Sequence, residues 1–296
     1  VNLHPNVDST IYEKWMGKRV CGDINIGCCN FSTSTTTEQQ ESDYCQVCND
    51  DNNSNNSYKS SPNMSRNHCP NRTVLGILNQ HGTFAEYMIL PIQNLHLVPP
   101  TEVCKDEIAV FAEPLAAAYR VLEQGLVQFS YTAAGSSSGG GGDRVAILGD
   151  GKLGLCIAEI LGRKYLEAVA LSKKDDVSPH PPILFGKHQH KLDLVSDSGV
   201  DRRFVTECYV NTVDLEGGVS SNHANRYDVV IDSTGNPNGL TLAMSLCRPM
   251  GRLVLKSTCA AGVQGFNSAP LVIDELTVVG SRCGPIDKAL ALLAGN

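Results

Sequence analysis

The chain has 296 residues, a formal net charge of -7 and 42% hydrophobic residues, which is enough length for two ordinary domains with buried cores. The acidic balance argues against nucleic acid or an anionic membrane as partner, and no apolar run approaches the ~20 residues of a transmembrane helix. Twelve cysteines pose the question of a disulfide framework. Cys156, Cys208, Cys247 and Cys259 stand singly in or beside apolar stretches, where a thiol packs as a small core residue, and a chain of this size needs no disulfide staples. No signal-peptide pattern is visible at Val1. The Asn-x-Ser/Thr triplets at Asn30 and Asn63 lie in or beside Asn/Ser-rich tracts that generate such triplets by composition. The expectation is a reducing, intracellular setting, the cytoplasm.

Val1 to Lys18 carries little pattern beyond Trp15 and a turn at Gly17. From Arg19 the apolar residues Val20, Ile24 and Ile26 predict a strand that enters a cysteine-rich region. Cys28 and Cys29 precede a Thr-rich polar run over 32–42; Cys45-Gln-Val-Cys48, a second polar run over 50–61 and Cys69 follow. A Cys-x-x-Cys pair with two further cysteines suits a tetrahedral zinc, because one turn supplies two thiolates. A redox pair, a disulfide and free thiols remain open as alternatives. The polar runs read as solvated loops.

Ordered sequence resumes over 72–77. A turn at Gly82 and a strand up to Pro91 are expected next, then a short strand over 95–99 that is stopped by Pro99 and Pro100. These short strands predict a small β-rich domain. His68, His81 and His96 stand singly, as hydrogen-bonded structural histidines do. Glu113 sits in an apolar helical stretch just before Pro114, which suits a first helical turn. A carboxylate there is either a charge favoured by the helix dipole or a ligand, and composition alone favours the dipole.

Residues 124–142 form a connecting segment whose Ser/Gly-rich tail is flexible-linker composition. Beyond it, Val145, Ala146, Ile147 and Leu148 read as a buried strand. They run into Gly149, Gly151 and Gly154, spaced G-x-G-x-x-G, and then Leu153, Leu155, Ile157, Ile160 and Leu161 recur at helical intervals. Strand, glycine turn and helix in this order point to a dinucleotide site. The first glycine allows the turn, the second lets a pyrophosphate approach, and the third lets the helix pack on the strand. Gly149, Gly151, Lys152, Leu153 and Gly154 are therefore the candidate pyrophosphate contacts.

Ala168 to Leu171 fits a second parallel strand. An NAD-preferring fold usually carries Asp or Glu at that strand's end. Here Ser172, Lys173 and Lys174 follow, then a Pro-rich stretch to Phe185 and Gly186-Lys187-His188. Ser172 and Lys187 are the candidates at the ribose, and the lysines favour NADP, with Asp175 and Asp176 as the opposing argument. A strand over 199–214, a buried strand over 227–235, another over 251–258 and one starting at Leu276 complete the pattern, with a helical start near Asn296. Thr234, Gly235, Ser257 and Thr258 lie at strand ends, where cofactor neighbours gather.

Several stretches together carry a resemblance: Gly17–Val20, Ile24–Cys28, His68–Ile77, Gly82–Tyr87, Phe111–Leu115, Gly149–Gly154 and Asp274–Arg282. The chain resembles the zinc-dependent medium-chain alcohol dehydrogenases, close to the threonine, sorbitol and glucose dehydrogenase branches. The resemblance covers nearly the whole chain apart from the polar insertions. It implies an α/β fold with a GroES-like β-rich catalytic domain (1–125), a linker (126–142) and a Rossmann doubly wound parallel sheet (143–296). It maps a structural zinc onto Cys28, Cys45, Cys48 and Cys69, with longer spacers than the family uses, and it makes Glu113 a member of the catalytic zinc site.

The family's first two catalytic ligands, a Cys and the His of a Gly-His-Glu motif, belong upstream of the Gly17–Val20 stretch. Neither is found there, so the sequence reads as cut at both ends. The implied activity is hydride transfer between NAD(P) and a small alcohol or carbonyl, with a homo-oligomer as the expected assembly. The alternatives are a zinc-free quinone-reductase-type enzyme of the same superfamily and a catalytically incomplete nucleotide-binding fragment.

Overall fold

The computed structural model describes residues 8–28, 67–129, 142–172, 179–196, 208–209, 224–258 and 267–295. Its contacts divide the chain into two compact units, one of Val1–Ala116 with Cys283–Asn296, the other of Ala117–Arg282.

The first unit opens with a helix where the sequence predicted little, α1 (Ser9–Trp15). Asp8 caps it, its Oδ1 accepting the Thr10 N–H at 2.9 Å, a satisfaction of an orphan donor that helix starts require. Only Trp15 of this helix is buried, so no apolar periodicity announces it. Five short strands follow in two sheets. β1 (Val20–Gly22) pairs antiparallel with β5 (Leu95–Leu97). β2 (Asn25–Ile26) pairs antiparallel with β3 (Thr73–Leu75), which pairs parallel with β4 (Asn79–Gln80).

Strands this short are tied down by side chains. The fully buried Asn94 donates through Nδ2 to the carbonyls of Asp23 at 3.0 Å and Asn25 at 2.6 Å. Arg19 donates to the carbonyls of Pro99 and Cys104 and pairs with Asp106. The strand expected over 82–91 does not form: Phe84, Tyr87 and Ile89 are exposed, and no partner strand meets this stretch among the described residues. Two helices, α2 (Asp106–Ala109) and α3 (Ala112–Glu123), come next, and α3 carries the chain into the second unit.

The second unit is built on six parallel strands: β6 (Val145–Leu148), β7 (Ile183–Phe185), β8 (Cys208–Tyr209), β9 (Tyr227–Asp232), β10 (Cys247–Leu255) and β11 (Thr277–Gly280). Their spatial order is β11-β10-β9-β6-β7-β8, so the sheet is wound outward in both directions from β6. This is the Rossmann order, and it places a topological switch point between β6 and β9. β6 is buried at all four residues, as a central parallel strand covered on both faces must be. The core around it includes Phe185, Val230, Leu246 and Leu253, with the Phe185 and Tyr227 rings edge to face.

Among the described residues four helices belong to this unit's crossovers: α4 (Lys152–Leu171), α5 (Gln189–Ser196), α6 (Pro237–Leu246) and α7 (Ala269–Ile273). The strand expected at Ala168–Leu171 is the last turn of α4. Lys164-Tyr-Leu-Glu-Ala-Val-Ala-Leu171 contains no Gly or Pro, and its Ala and Leu residues favour helix, so the helix begun at Lys152 runs on for 20 residues. The second strand is Ile183–Phe185 instead. β10 begins at Cys247, earlier than the expected Gly251. It carries a register irregularity before Arg252, where Met250 takes φ 61°. The final helix, α8 (Ile286–Leu293), contacts α2 and β5 in the first unit.

At the end of α3, Arg120 and Glu123 form an ion pair of 2.7 Å with side chains only 11% and 9% exposed. Removing one member of so buried a pair strands the other charge. Glu123→Ala is expected to destabilise the protein by about 3 kcal/mol in urea unfolding, well beyond an exposed helix pair.

Candidate nucleotide site

The glycine turn between β6 and α4 is shaped by close approach. A Cβ on Gly154 would lie 1.8 Å from the Gly149 carbonyl oxygen and 2.9 Å from Ser233 Oγ, and Gly149 itself has φ 107°. The turn is stitched to its neighbours on both sides. The Gly149 N–H donates to Phe185 O at 2.9 Å on β7, and Ser233, after β9, donates through N–H and Oγ to Leu148 O at 2.9 and 2.7 Å. Gly151, by contrast, has open space where a side chain would stand. It is the N-cap of α4 and carries no side chain to cap it. The N–H groups of Lys152, Leu153 and Gly154 in the first turn have no intrahelical acceptor by the geometry of a helix start. Backbone donors, the helix dipole and an open approach together make an anion site.

Asp150, inside the glycine motif, holds the end of β7. Its Oδ2 accepts the N–H groups of Lys187 at 2.9 Å and His188 at 2.7 Å, and the His188 ring Nδ1 lies 2.8 Å away. Burial by itself would raise the carboxyl pKa. The hydrogen bonds from the His188 ring and from the two N–H groups, with the nearby His188 charge, outweigh it and hold Asp150 below the usual carboxylate range. Lys187, His188 and His190 are exposed at this strand end, and Lys191 Nζ lies 3.4 Å from His188 Nδ1.

The ends of β9 and β10 form the other wall. Asp232 Oδ1 accepts from the Thr234 N–H at 2.9 Å and the Thr234 Oγ1 at 2.7 Å, and the Gly235 N–H donates to Ser257 Oγ at 2.8 Å. Thr234, Gly235 and Ser257 are therefore brought together, with the exposed Thr258 next in chain. Ser172 lies elsewhere. It closes the C-terminus of α4, its hydroxyl donating to Ala168 O at 2.8 Å, and not a strand end as expected. Lys173, Lys174, Asp175 and Asp176 lie outside the described residues. Asp150, His188 and Ser233 were not singled out by the sequence reading. The variable positions of a glycine motif carry no pattern of their own, and the pairing of Asp150 with His188 spans 38 residues.

In the first unit, Cys28 and the fully buried Cys69 are neighbours, the Cys28 N–H donating to Cys69 Sγ at 3.4 Å. Cys45 and Cys48 lie outside the described residues. Glu113 is half-buried in the first turn of α3. Among the described residues no three His, Cys, Asp or Glu side chains cluster as a metal site. Cys247 behaves as a core residue: burial pushes its thiol up to about 11. His96 sits in β5 opposite Cys21. No helix among the described residues is long and apolar enough to cross a membrane.

Residues 181–294 match the family described as zinc-binding dehydrogenase. Over that segment the chain is similar to the zinc-binding dehydrogenases. It is 25% identical over 213 residues to the L-threonine 3-dehydrogenase of Xanthomonas euvesicatoria pv. vesicatoria (strain 85-10), an alignment that covers 72% of this chain and 52% of that protein. The chain thus spans about half the length of the curated relatives it matches. Among solved structures, a zinc-binding dehydrogenase from Sinorhizobium meliloti 1021 bound to NADP aligns with a TM-score of 0.62 at 21% identity, covering 94% of this chain and 66% of that one. A short chain alcohol dehydrogenase from Escherichia coli CFT073 complexed with NADH aligns with a TM-score of 0.66 at 20% identity, covering 99% of this chain and 68% of that one. At these identities the two structures show the shared α/β fold.

Two outcomes follow from the turn. Gly154→Ala forces the Gly149 carbonyl or the helix to move, and is expected to cost about 2–3 kcal/mol in chemical unfolding. Asp150 has a folded pKa below its ordinary 3.8, so its contribution is fully present above that value and is lost as pH falls through the lower folded value. The stability gap between wild type and Asp150→Asn is therefore expected to hold steady from pH 7 to about pH 5 and to narrow below pH 4 in acid-unfolding curves.

Proposed function

We propose that this chain belongs to an NAD(P)-dependent, zinc-binding oxidoreductase that moves a hydride between the nicotinamide and a small alcohol or carbonyl substrate. The observation that carries this reading is the glycine turn, where a Cβ on Gly154 would collide with the Gly149 carbonyl oxygen and Gly149 takes φ 107°, while Gly151 stays open. The N–H groups of Lys152, Leu153 and Gly154 receive the pyrophosphate. Thr234, Gly235, Ser257 and Thr258 line the crevice at the strand ends, where the nicotinamide half lies. The cofactor supplies the hydride chemistry, and the protein's part is to bind and orient it.

NADP is the preferred form. The second strand ends in Gly186, Lys187 and His188 with no acid of its own, and a basic residue there accommodates a 2′-phosphate. The similar Sinorhizobium protein holds NADP and the Escherichia protein NADH, so both forms occur on this fold.

The four cysteines Cys28, Cys45, Cys48 and Cys69 are proposed to hold a structural zinc. The contact between the Cys28 N–H and the Cys69 sulfur supports it, because thiolates that bind zinc commonly accept such N–H groups as outer partners. Glu113 is proposed as a member of the catalytic zinc site, although the described residues do not by themselves assemble one around it. We further assign residues 1–125 to the catalytic domain, 126–142 to a linker and 143–296 to the nucleotide domain. We propose a homo-oligomer, supported by the exposed apolar residues Val272 and Ile273 on α7 and Val278 on β11, and the cytoplasm as its compartment.

Fluorescence titration is expected to show saturable binding of NADPH, weaker binding of NADH, and loss of both in Gly154→Val. Metal analysis is expected to find zinc in the wild type and at least one equivalent less in Cys69→Ser. Chelation should lower the wild-type melting temperature and leave Cys69→Ser unchanged, as metal-coupled folding requires.

A further inference from the structure

The three donors on Asp150 have a consequence for nucleotide choice. Its Oδ2 takes the N–H groups of Lys187 and His188 and faces the His188 ring. That oxygen has no capacity left for a ribose hydroxyl, and the side chain is only 11% exposed. Asp150 thus serves the Gly186–His188 turn from within the glycine motif, whereas the ribose-binding acid of an NAD-preferring fold stands at the end of the second strand. Asp150 Oδ2 faces the backbone N–H groups of Lys187 and His188 and the His188 ring. The ring of His188 is half-exposed and has its Nδ1 on Asp150, which leaves Nε2 as the solvent-side nitrogen.

Gly186 is pressed against Asp150, since a Cβ there would lie 2.6 Å from Asp150 Cβ and 2.8 Å from Leu192 Cδ2. The fit of Gly186 under Asp150 places the strand end directly beside the glycine turn that receives the pyrophosphate. A loop ordered before binding forfeits less conformational entropy when it binds.

We propose that Asp150 is a positioning residue for selectivity toward the 2′-phosphorylated dinucleotide, acting by fastening the Gly186–His188 turn to the glycine motif so that Lys187 and His188 stand ready at the adenosine end. This rests on the dinucleotide reading above. It adds that the preference is set by an acid in the glycine motif, through the backbone and ring it holds, and not by the basic side chains alone. A loop freed from Asp150 would keep its lysine and histidine but lose their placement.

The test is to measure Kd for NADPH and NADH on wild type, Asp150→Ala, Asp150→Asn and His188→Ala, with melting temperatures alongside. Asp150→Ala is expected to weaken NADPH about tenfold, equivalent to about 1.4 kcal/mol, with NADH changed less than about twofold. Asp150→Asn keeps an oxygen acceptor for the two N–H groups and is expected to recover most of the lost NADPH affinity. His188→Ala alters an exposed ring, so it reports even where Asp150→Ala does not fold, and a selective severalfold loss of NADPH is expected. Equal weakening of both nucleotides in Asp150→Ala and His188→Ala would show a purely structural part and overturn the proposal. So would tighter NADPH binding in Asp150→Ala, which would make the carboxylate a repeller of the phosphate, or no change in any variant. A wild type that binds neither nucleotide overturns the dinucleotide reading itself, a result distinct from these.

Discussion

The approach of α4 to the end of β6 governs the second unit. With a hydrogen in place of a side chain at Gly154, the helix start comes within contact of the Gly149 carbonyl. That contact aims the N-terminal N–H groups of a 20-residue helix across the carboxyl end of the sheet. The same closeness lets Ser233 reach Leu148 O from β9 and lets Gly149 reach Phe185 O from β7. Three strand ends are thereby held to one turn. The open position at Gly151 matters only because its neighbours are so tightly placed: an anion meets fixed donors with no side chain between.

Much of this is legible in residues. The run Val145–Leu148 is apolar at every position because β6 is covered on both faces, and the spacing of the glycines follows from the turn they must make. β9 and β11 lie where their apolar residues put them. At the end of α4 two signals compete. Ala168–Leu171 is short and apolar, as a buried strand is, yet it continues an unbroken helical run, and nothing in the chain stops α4 before Ser172. The actual second strand, Ile183–Phe185, has three residues beside a Pro-rich stretch and offers no alternation to detect. Mistaking the strand also moved Ser172 to the wrong end of the sheet, while Lys187, at the end of the true strand, stayed in place.

The first unit is less legible for a different reason. Its strands have two or three residues each, and their ladders alone would not hold them. Asn94 and Arg19 supply the missing bonds by reaching carbonyls 69 to 85 residues away in sequence, and no local pattern encodes such reach. α1 shows the same limit, since one buried Trp leaves no stripe. The apolar residues over 84–89 have strand composition but lie exposed. Composition states that a segment can pair; only a neighbouring edge decides that it does.

Asp150 illustrates how a glycine motif can carry more than its glycines. The variable positions of G-x-G-x-x-G are free of the close contacts that fix Gly149 and Gly154, so a side chain there can reach outward without disturbing the turn. At Asp150 it reaches sideways to β7 and binds the very N–H groups that follow the strand. An acid so employed is hydrogen-bonded where it stands, and Lys187 and His188 remain exposed at the strand end. In folds that prefer NAD an acid sits at the end of the second strand and reaches the ribose directly. Here the acid enters from the adjacent turn with its reactive oxygen already satisfied. Whether an acid in such a turn meets backbone or solvent is a matter of hydrogen-bond geometry and not of acidic residues counted along the sequence.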